Sequence, residues 1–210
     1  MLDQKPDFKE LAEARRSVNF FDPRKPLDDQ TLKEIINLAV FAPSCFNAQP
    51  WQIIAVKSKE KREEIYNTAC KQPKVVEAPV LLAVIGDKYG YKRDNPIWNE
   101  KIRLGYATPE GVEGSVGYAD TVLFRENDQR VAFAASNSAL LAMSIMYAAK
   151  YYGVDSHPMI GFDEPKLREV FRLPENKLIT MLICLGYFDQ SKSLYPRETR
   201  YTYDQIVKEL

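Results

Sequence analysis

Two short stretches carry the residue types from which a ligand site can be assembled. The first is Arg15-Arg16-Ser17, two forked cations and a hydroxyl at the point where a helical stretch ends. Guanidinium pairs with phosphate in bidentate fashion, so this set suits a dianionic phosphate. Two adjacent arginines on a solvated face would look the same. The second stretch is Ala42-Pro43-Ser44-Cys45-Phe46-Asn47-Ala48-Gln49-Pro50-Trp51. Its prolines bias the residues before them towards extended backbone. Between them Ser44, Asn47 and Gln49 bring hydroxyl and amide groups with both donors and acceptors. Such a loop suits the edge of a flat heteroaromatic ligand. An ordinary helix-to-strand connector would also use these residue types.

The elements that must position these groups are legible along the chain. Asp7 followed by Glu10 reads as a capping box opening a helix that runs through Ala14. Asp28 or Asp29 can cap a second helix, with Leu32, Ile35, Ile36, Ala39 and Val40 on its apolar side. Gln52 to Lys57 reads as a strand, and Ser58 as the cap of a charged helix reaching about Cys70. Pro79 to Gly86 is a strand buried on both faces, because its apolar run is unbroken. Val131 to Ala149 carries no charge. Its length invites a membrane span, but Ser136, Asn137, Ser138, Ser144 and its alanines point to a buried central helix and a subunit contact. Asp163 caps a helix with Pro165 in its first turn, and Lys177 to Tyr187 is a second central strand. The tail holds Arg197 and Arg200 and ends in a short amphipathic piece. The expected architecture is an α+β layered domain, residues 1–210 as one unit, around a central mixed or antiparallel sheet.

Residues 87–125 are the least regular part, with Tyr89, Tyr91, Trp98, Tyr106, Tyr118 and Phe124 among them. A loop-rich excursion of this length suits a substrate wall. A poorly packed surface insertion is the plainer alternative, but that many aromatics are costly to leave in water.

The totals exclude several classes. The 210 residues have a formal net charge of zero, so nothing points to nucleic acid or an anionic membrane. The start, Met1 to Glu10, is charged and lacks the apolar core of a signal peptide. Three cysteines, an odd number, suggest reduced thiols and a cytoplasmic protein. Cys45, Cys70, Cys184 and His157 have no metal-ligand spacing, and no metal is expected. Cys45 and His157 could be imagined as a thiol nucleophile and its base, but no third orienting group is suggested. No Gly-x-Gly-x-x-Gly follows a strand and no Walker A motif is present.

Arg15-Arg16-Ser17-Val18-Asn19-Phe20-Phe21, then Pro43-Ser44-Cys45-Phe46-Asn47-Ala48-Gln49-Pro50-Trp51, then Pro158-Met159-Ile160-Gly161-Phe162-Asp163, resemble the FMN-dependent nitroreductase family in order and spacing. Glu77-Ala78-Pro79 and Arg200 also fit. The resemblance covers nearly the whole chain and is weakest over 87–125. It implies a nitroreductase-like fold in an intertwined homodimer. It implies FMN as cofactor, NADH or NADPH as electron donor, and a small-molecule acceptor such as a nitroaromatic or quinone reduced in ping-pong order. It assigns the FMN phosphate and ribityl chain to Arg15, Arg16 and Ser17, with Arg200 or Arg197 from the tail. Pro43, Ser44, Cys45 and Asn47 would face the flavin from the other subunit. Pro158 would belong to the cofactor site, Ile160 and Gly161 would bring backbone N–H groups to flavin N5, and Gln72 and Lys74 would contact the ring or ribityl. Asn19 stands where the family usually has Lys or Arg, which puts the redox potential in question. No side-chain acid or base is required, so no catalytic residue is assigned. A flavin-sequestering protein with little turnover is the alternative within this resemblance, and a Cys45 thiol hydrolase the alternative outside it.

Overall fold

The structure, a computed structural model, describes residues 7–210. Helix α1 (Phe8–Ala14) opens with the expected capping box: the Asp7 side chain accepts from Glu10 N at 2.8 Å, and Glu10 reaches back to Asp7 N at 3.3 Å. Asp28, rather than Asp29, caps α2 (Asp29–Ala39) by accepting from Thr31 N. Strand β1 (Trp51–Val56) leads to α3 (Lys59–Thr68), capped by Ser58, and to the single turn α4 (Lys74–Glu77). Strand β2 (Val80–Asp87) follows.

The stretch 87–125 is far more regular than its sequence suggests. It contains α5 (Ile97–Arg103), α6 (Pro109–Tyr118) and a π-helical turn, Ala119–Leu123. Thr108 caps α6 and Pro109 occupies its first turn, a readable start. Gly111, Gly114 and Gly117 hide the rest, since each glycine weakens the helical signal by about 1 kcal/mol. Tyr91, Phe124 and Phe133 stack into a separate small core, with ring centroids 4.6 to 5.4 Å apart.

Helix α7 (Asn127–Tyr151) is the longest element, and β3 (Asp155–Met159), α8 (Glu164–Phe171) and β4 (Lys177–Gly186) complete the fold. The tail runs extended to a last turn, α9 (Tyr203–Ile206), which is exposed all round.

The sheet order is β1-β2-β4-β3 and every pairing is antiparallel, which decides between the mixed and antiparallel alternatives. Strand β2 is buried on both sides, so its residues alternate between two cores. Leu81, Ala83 and Ile85 meet Ile65 of α3, Val75 of α4 and Leu167 of α8 on one face. Val80, Leu82 and Val84 meet Ile35 of α2 and Leu141 and Ile145 of α7 on the other. This explains the unbroken apolar run. Helix α7 is long and apolar enough to cross a membrane by length and composition, yet it packs here as the central helix. Gly86 permits that contact: a Cβ there would stand 2.6 Å from the Ala134 carbonyl oxygen.

Candidate active site

The first site stretch leaves α1 and runs beside edge strand β3. Ser17 bridges Ser156, and Val18 N donates to the Ser156 carbonyl at 3.1 Å. The tail folds back over it. Arg16 Nη2 donates to the Tyr195 carbonyl at 2.5 Å, and Arg197 Nη2 to the Glu13 carbonyl at 2.5 Å. Arg15, Arg16, Ser17, Asn19, Arg197 and Arg200 therefore line one cleft of about 250 Å³, with Glu198 also present. Arg15 Nη1 is buried there without a hydrogen-bond partner among the described residues. Burial pulls the Arg15 pKa below its ordinary value, Tyr147 opposes this, and the neighbouring charges of Arg200 and Arg197 add to the lowering. A desolvated guanidinium crowded by two more cations calls for an anion. The side chains of Ser17 and Asn19 make no hydrogen bond of their own within the described residues, so both are free for a ligand. The site fits a phosphate.

The same side of the sheet also holds Gln72, Lys74, Pro158, Ile160 and Gly161, assigned by resemblance. His157 Nδ1 lies 2.8 Å from the Val18 carbonyl oxygen, so that nitrogen carries the proton. Burial, helped by the charge of Lys74, pushes the His157 pKa down to about 4, against the pull of the Val18 bond. Lys74 Nζ donates to Gln72 Oε1 at 3.1 Å. The Cys70 thiol donates to the Gly161 carbonyl at 3.7 Å, and the Gln72 amide nitrogen lies 3.8 Å from where a Gly161 Cβ would sit. Pro158 is tolerated because β3 is an edge strand, and Ile160 just beyond it is exposed. The chain's own packing gives no reason for glycine at 161, since 3.8 Å is an ordinary contact.

The second site stretch lies elsewhere. It turns through a short 3-10 segment, Cys45–Asn47, with Phe46, Asn47 and Gln49 at φ of 60°, 54° and 47°. Left-handed backbone costs non-glycine residues on the order of 1–3 kcal/mol each and persists only where the surroundings impose it. Here three bonds impose it. Cys45 N donates to Asn137 Oδ1 at 2.7 Å, Gln49 N to Ser44 Oγ at 2.9 Å, and Asn95 Nδ2 to the Ala48 carbonyl at 2.7 Å. Asn137 is itself buried in α7 and donates to the Phe133 carbonyl at 2.6 Å. Asn95 also donates to the Gly90 carbonyl at 2.6 Å within the 87–125 excursion, so its bond to Ala48 ties that excursion to the loop. Sequence reasoning missed Asn137 and Asn95 as site-building residues. The lone amide in the uncharged run 131–149 is the signal for the first.

The sheet separates the two groups. Ser17 sits beside Ser156, which pairs Leu185, which pairs Val80. Pro43 to Asn47 precedes Trp51, which pairs Gly86 at the other end of β2 and on the other edge of the sheet. At ~3.3 Å per residue and ~4.8 Å per strand, the corners stand on the order of 20 Å apart. Helices cover both faces of the sheet between them. Pro43, Ser44, Cys45 and Asn47 therefore do not join Arg15, Ser17 and Gly161 within one chain. Cys45 and His157 are also in opposite corners, which removes the nucleophile–base pair. Burial moreover pushes the Cys45 thiol pKa up, with Lys101 opposing, so the thiolate is not favoured there.

Comparison with known proteins identifies the family and the fold. The Nitroreductase family description matches residues 12–187. MhqN of Bacillus subtilis (strain 168), which carries the provisional name of an NAD(P)H nitroreductase, is 31% identical over 205 residues, 96% of this chain and 98% of its own. The solved structure of ydfN from Bacillus subtilis, of provisional nitroreductase name, superposes with a TM-score of 0.87 at 30% identity, covering 97% of this chain and 98% of that one. A protein from Exiguobacterium sibiricum, likewise provisionally named a nitroreductase and solved in complex with FMN, shares the fold at a TM-score of 0.81 and 23% identity over 97% of each chain. The chain belongs to the nitroreductase family.

Proposed function

We propose that the protein is an FMN-dependent oxidoreductase. It takes reducing equivalents from NADH or NADPH and passes them to nitroaromatic, quinone or related electrophilic acceptors in ping-pong order. The observation that carries this reading is the arginine cleft, in which Arg15 Nη1 is buried without a hydrogen-bond partner among the described residues. When bound, FMN supplies the hydride chemistry and the protein supplies binding, orientation and electrostatics. Arg15, Arg16 and the tail arginines would hold the phosphate, and Ser17 the phosphate or ribityl chain. Gln72 and Lys74 would contact the ring or ribityl, with backbone N–H groups of Ile160 and Gly161 at the ring's centre. The sequence offers no Rossmann cradle for the pyridine nucleotide, which supports a donor that shares the acceptor's pocket and leaves before it.

The working form in this reading is a homodimer in which Pro43, Ser44, Cys45 and Asn47 of one chain complete the site of the other. Two features support it. The loop cannot reach its own chain's phosphate corner, and α7 exposes an uncharged stripe through Ala132, Ser136 and Leu140. In a two-fold dimer that stripe meets itself, and both sites are built alike.

An anaerobic titration tests the function. Purified protein reconstituted with FMN should lose its yellow colour on addition of NAD(P)H and recover it with a nitroaromatic or quinone. Colour that NAD(P)H leaves unchanged would mean flavin binding without turnover.

A further inference from the structure

Helix α5 shows two different faces to its surroundings. On one, Arg103 forks onto Glu100, with Nε to Oε2 at 2.7 Å and Nη2 to Oε1 at 2.5 Å, so its charge is matched. On the other face lie Trp98 and Lys101. Trp98 is 2% exposed, and its Nε1 is held by the carbonyls of Tyr91 and Lys92, both at 3.0 Å. Its ring centroid stands 5.5 Å from that of Phe46, inside the strained loop. Lys101 places its Nζ 4.9 Å from the Trp98 ring centroid and is half-buried.

Lys101 has no carboxylate within ion-pair distance among the described residues. Its neighbour Lys92, by contrast, meets Asp120 at 2.6 Å. An ammonium over an indole face is held in place by cation–π attraction, and this leaves its three donors largely uncommitted. Its field is felt across the loop: burial raises the Cys45 thiol pKa, and Lys101 pulls against that rise. The Asn47 and Gln49 side chains on the same loop make no hydrogen bond within the described residues. A cation without a paired carboxylate among the described residues thus stands against the loop through Trp98 and Phe46, within electrostatic reach of Cys45.

We propose that Lys101 is a specificity-determining residue that favours acceptors carrying an anionic substituent, a sulfonate or carboxylate, on a flat reducible ring. The inference rests on the oxidoreductase reading above, in which this loop borders the flavin. An arriving anion pairs with Lys101 without displacing a carboxylate, so no existing ion pair is lost. The reaction it biases is a two-electron reduction. NAD(P)H gives up hydride to become NAD(P)⁺, and the quinone takes up that hydride equivalent and a proton from water to leave as hydroquinone. Lys101 takes no part in the transfer and only places the charged substituent. The same chemistry would recognise the diphosphate of the pyridine nucleotide, so the test has an arm for each.

The FMN-loaded protein and its Lys101→Gln and Lys101→Arg variants are compared with menadione and with 1,2-naphthoquinone-4-sulfonate, and kcat/KM for NADH and NADPH is measured separately. The sulfonate-to-menadione ratio of kcat/KM should fall on the order of tenfold in Lys101→Gln, the low end expected of a charge-assisted bond at a half-exposed site. It should return with Lys101→Arg, and the wild-type preference should shrink as salt rises. As a readout apart from turnover, naphthalene-2-sulfonate should bind less tightly to Lys101→Gln, followed by tryptophan emission. Turnover with an unchanged ratio overturns the inference and leaves the oxidoreductase reading standing. A loss confined to kcat/KM for the nucleotide overturns the acceptor assignment. Failure of NAD(P)H to bleach the wild-type flavin overturns the oxidoreductase reading and this inference with it.

Discussion

Cys45 and Asn137 are 92 positions apart in the chain and joined by one hydrogen bond, Cys45 N–H to Asn137 Oδ1 at 2.7 Å. That bond is one of three that hold the left-handed loop, and it is made by a side chain buried in the central helix. Asn137→Ala removes the acceptor and leaves the Cys45 N–H short of a partner, which costs about 1–3 kcal/mol. The variant should unfold at lower urea by that amount, and its loop should relax. FMN affinity should fall too, since the loop would no longer be preformed. Unchanged stability and affinity, by urea titration and flavin fluorescence, would show that the bond does not set the loop.

The arginine cleft predicts a phosphate-dependent affinity. Arg15→Ala should weaken FMN by about 1.5–3 kcal/mol, the loss of a charge-assisted contact. Riboflavin, which lacks the phosphate, should be affected much less. Arg200→Ala should act in the same direction more weakly, because Arg200 is exposed and also donates to the carbonyls of Glu198 and Thr199 at 3.1 Å. Wild-type FMN affinity in both variants would remove the phosphate assignment.

Asn19 lines the same cleft without charge. A cation at this position would favour an anionic reduced cofactor over the neutral oxidised one. Asn19→Lys should therefore raise the two-electron midpoint potential of bound FMN. Lys74, in the same corner, limits the size of the effect, since it already supplies a positive charge there. Spectroelectrochemistry that finds no shift, or a downward one, would show that position 19 does not act on the flavin ring.

Much of this architecture is written locally, which is why the sequence yields it. Asp7, Ser58 and Asp163 each cap a helix by a bond to a residue three positions on, and β2 is apolar throughout because both its faces are covered. Contacts made across the sheet are not legible. Nothing in the spacing of Cys45 and Asn137, or of Asn95 and Ala48, foretells their bonds. The helical character of 97–123 was masked by the glycines of α6. The strand order β1-β2-β4-β3 likewise had to be seen before the two motifs could be placed in opposite corners. The four-arginine cleft was half legible: the residues were, but the bonds of Arg16 to Tyr195 and Arg197 to Glu13 that fold the tail onto them were not.

His157 makes stability depend on pH in a predictable sense. Its folded pKa is about 4 against an ordinary 6.5, so between these values the unfolded chain binds more protons. Stability then rises with pH across that window. The contribution is fully present above about 6.5 and is lost as pH falls through 4. Asp22, whose pKa the Arg24 guanidinium holds down at about 2, acts in the same sense but at lower pH. The His157→Gln variant lacks only the first contribution. Its unfolding free energy, subtracted from that of the wild type at several pH values, should give a difference that falls as pH drops from about 6.5 to 4 and stays level above. Parallel curves would mean that His157 titrates normally in the folded protein.

The separation of the two corners makes the dimeric site testable by complementation. Arg15 and Asn47 lie in different corners of one chain, so in the proposed dimer each site takes Arg15 from one subunit and Asn47 from the other. Arg15→Ala and Asn47→Ala variants are prepared, with a bulkier Asn47 substitution if alanine leaves activity, and assayed at an FMN concentration where each alone is inactive. They are unfolded, mixed equally and refolded. In a mixed dimer one site receives both lesions and the other neither. Random pairing makes about half the dimers mixed, so roughly a quarter of wild-type activity should return. If each site drew both residues from one chain, every site would carry a lesion and mixing would restore nothing. Absence of rescue, with mixed dimers shown to form by mass spectrometry of differently tagged subunits, would therefore sink the two-chain site. The same preparation gives a second readout. Mixed dimers should bind one FMN at wild-type affinity, which equilibrium titration resolves independently of turnover.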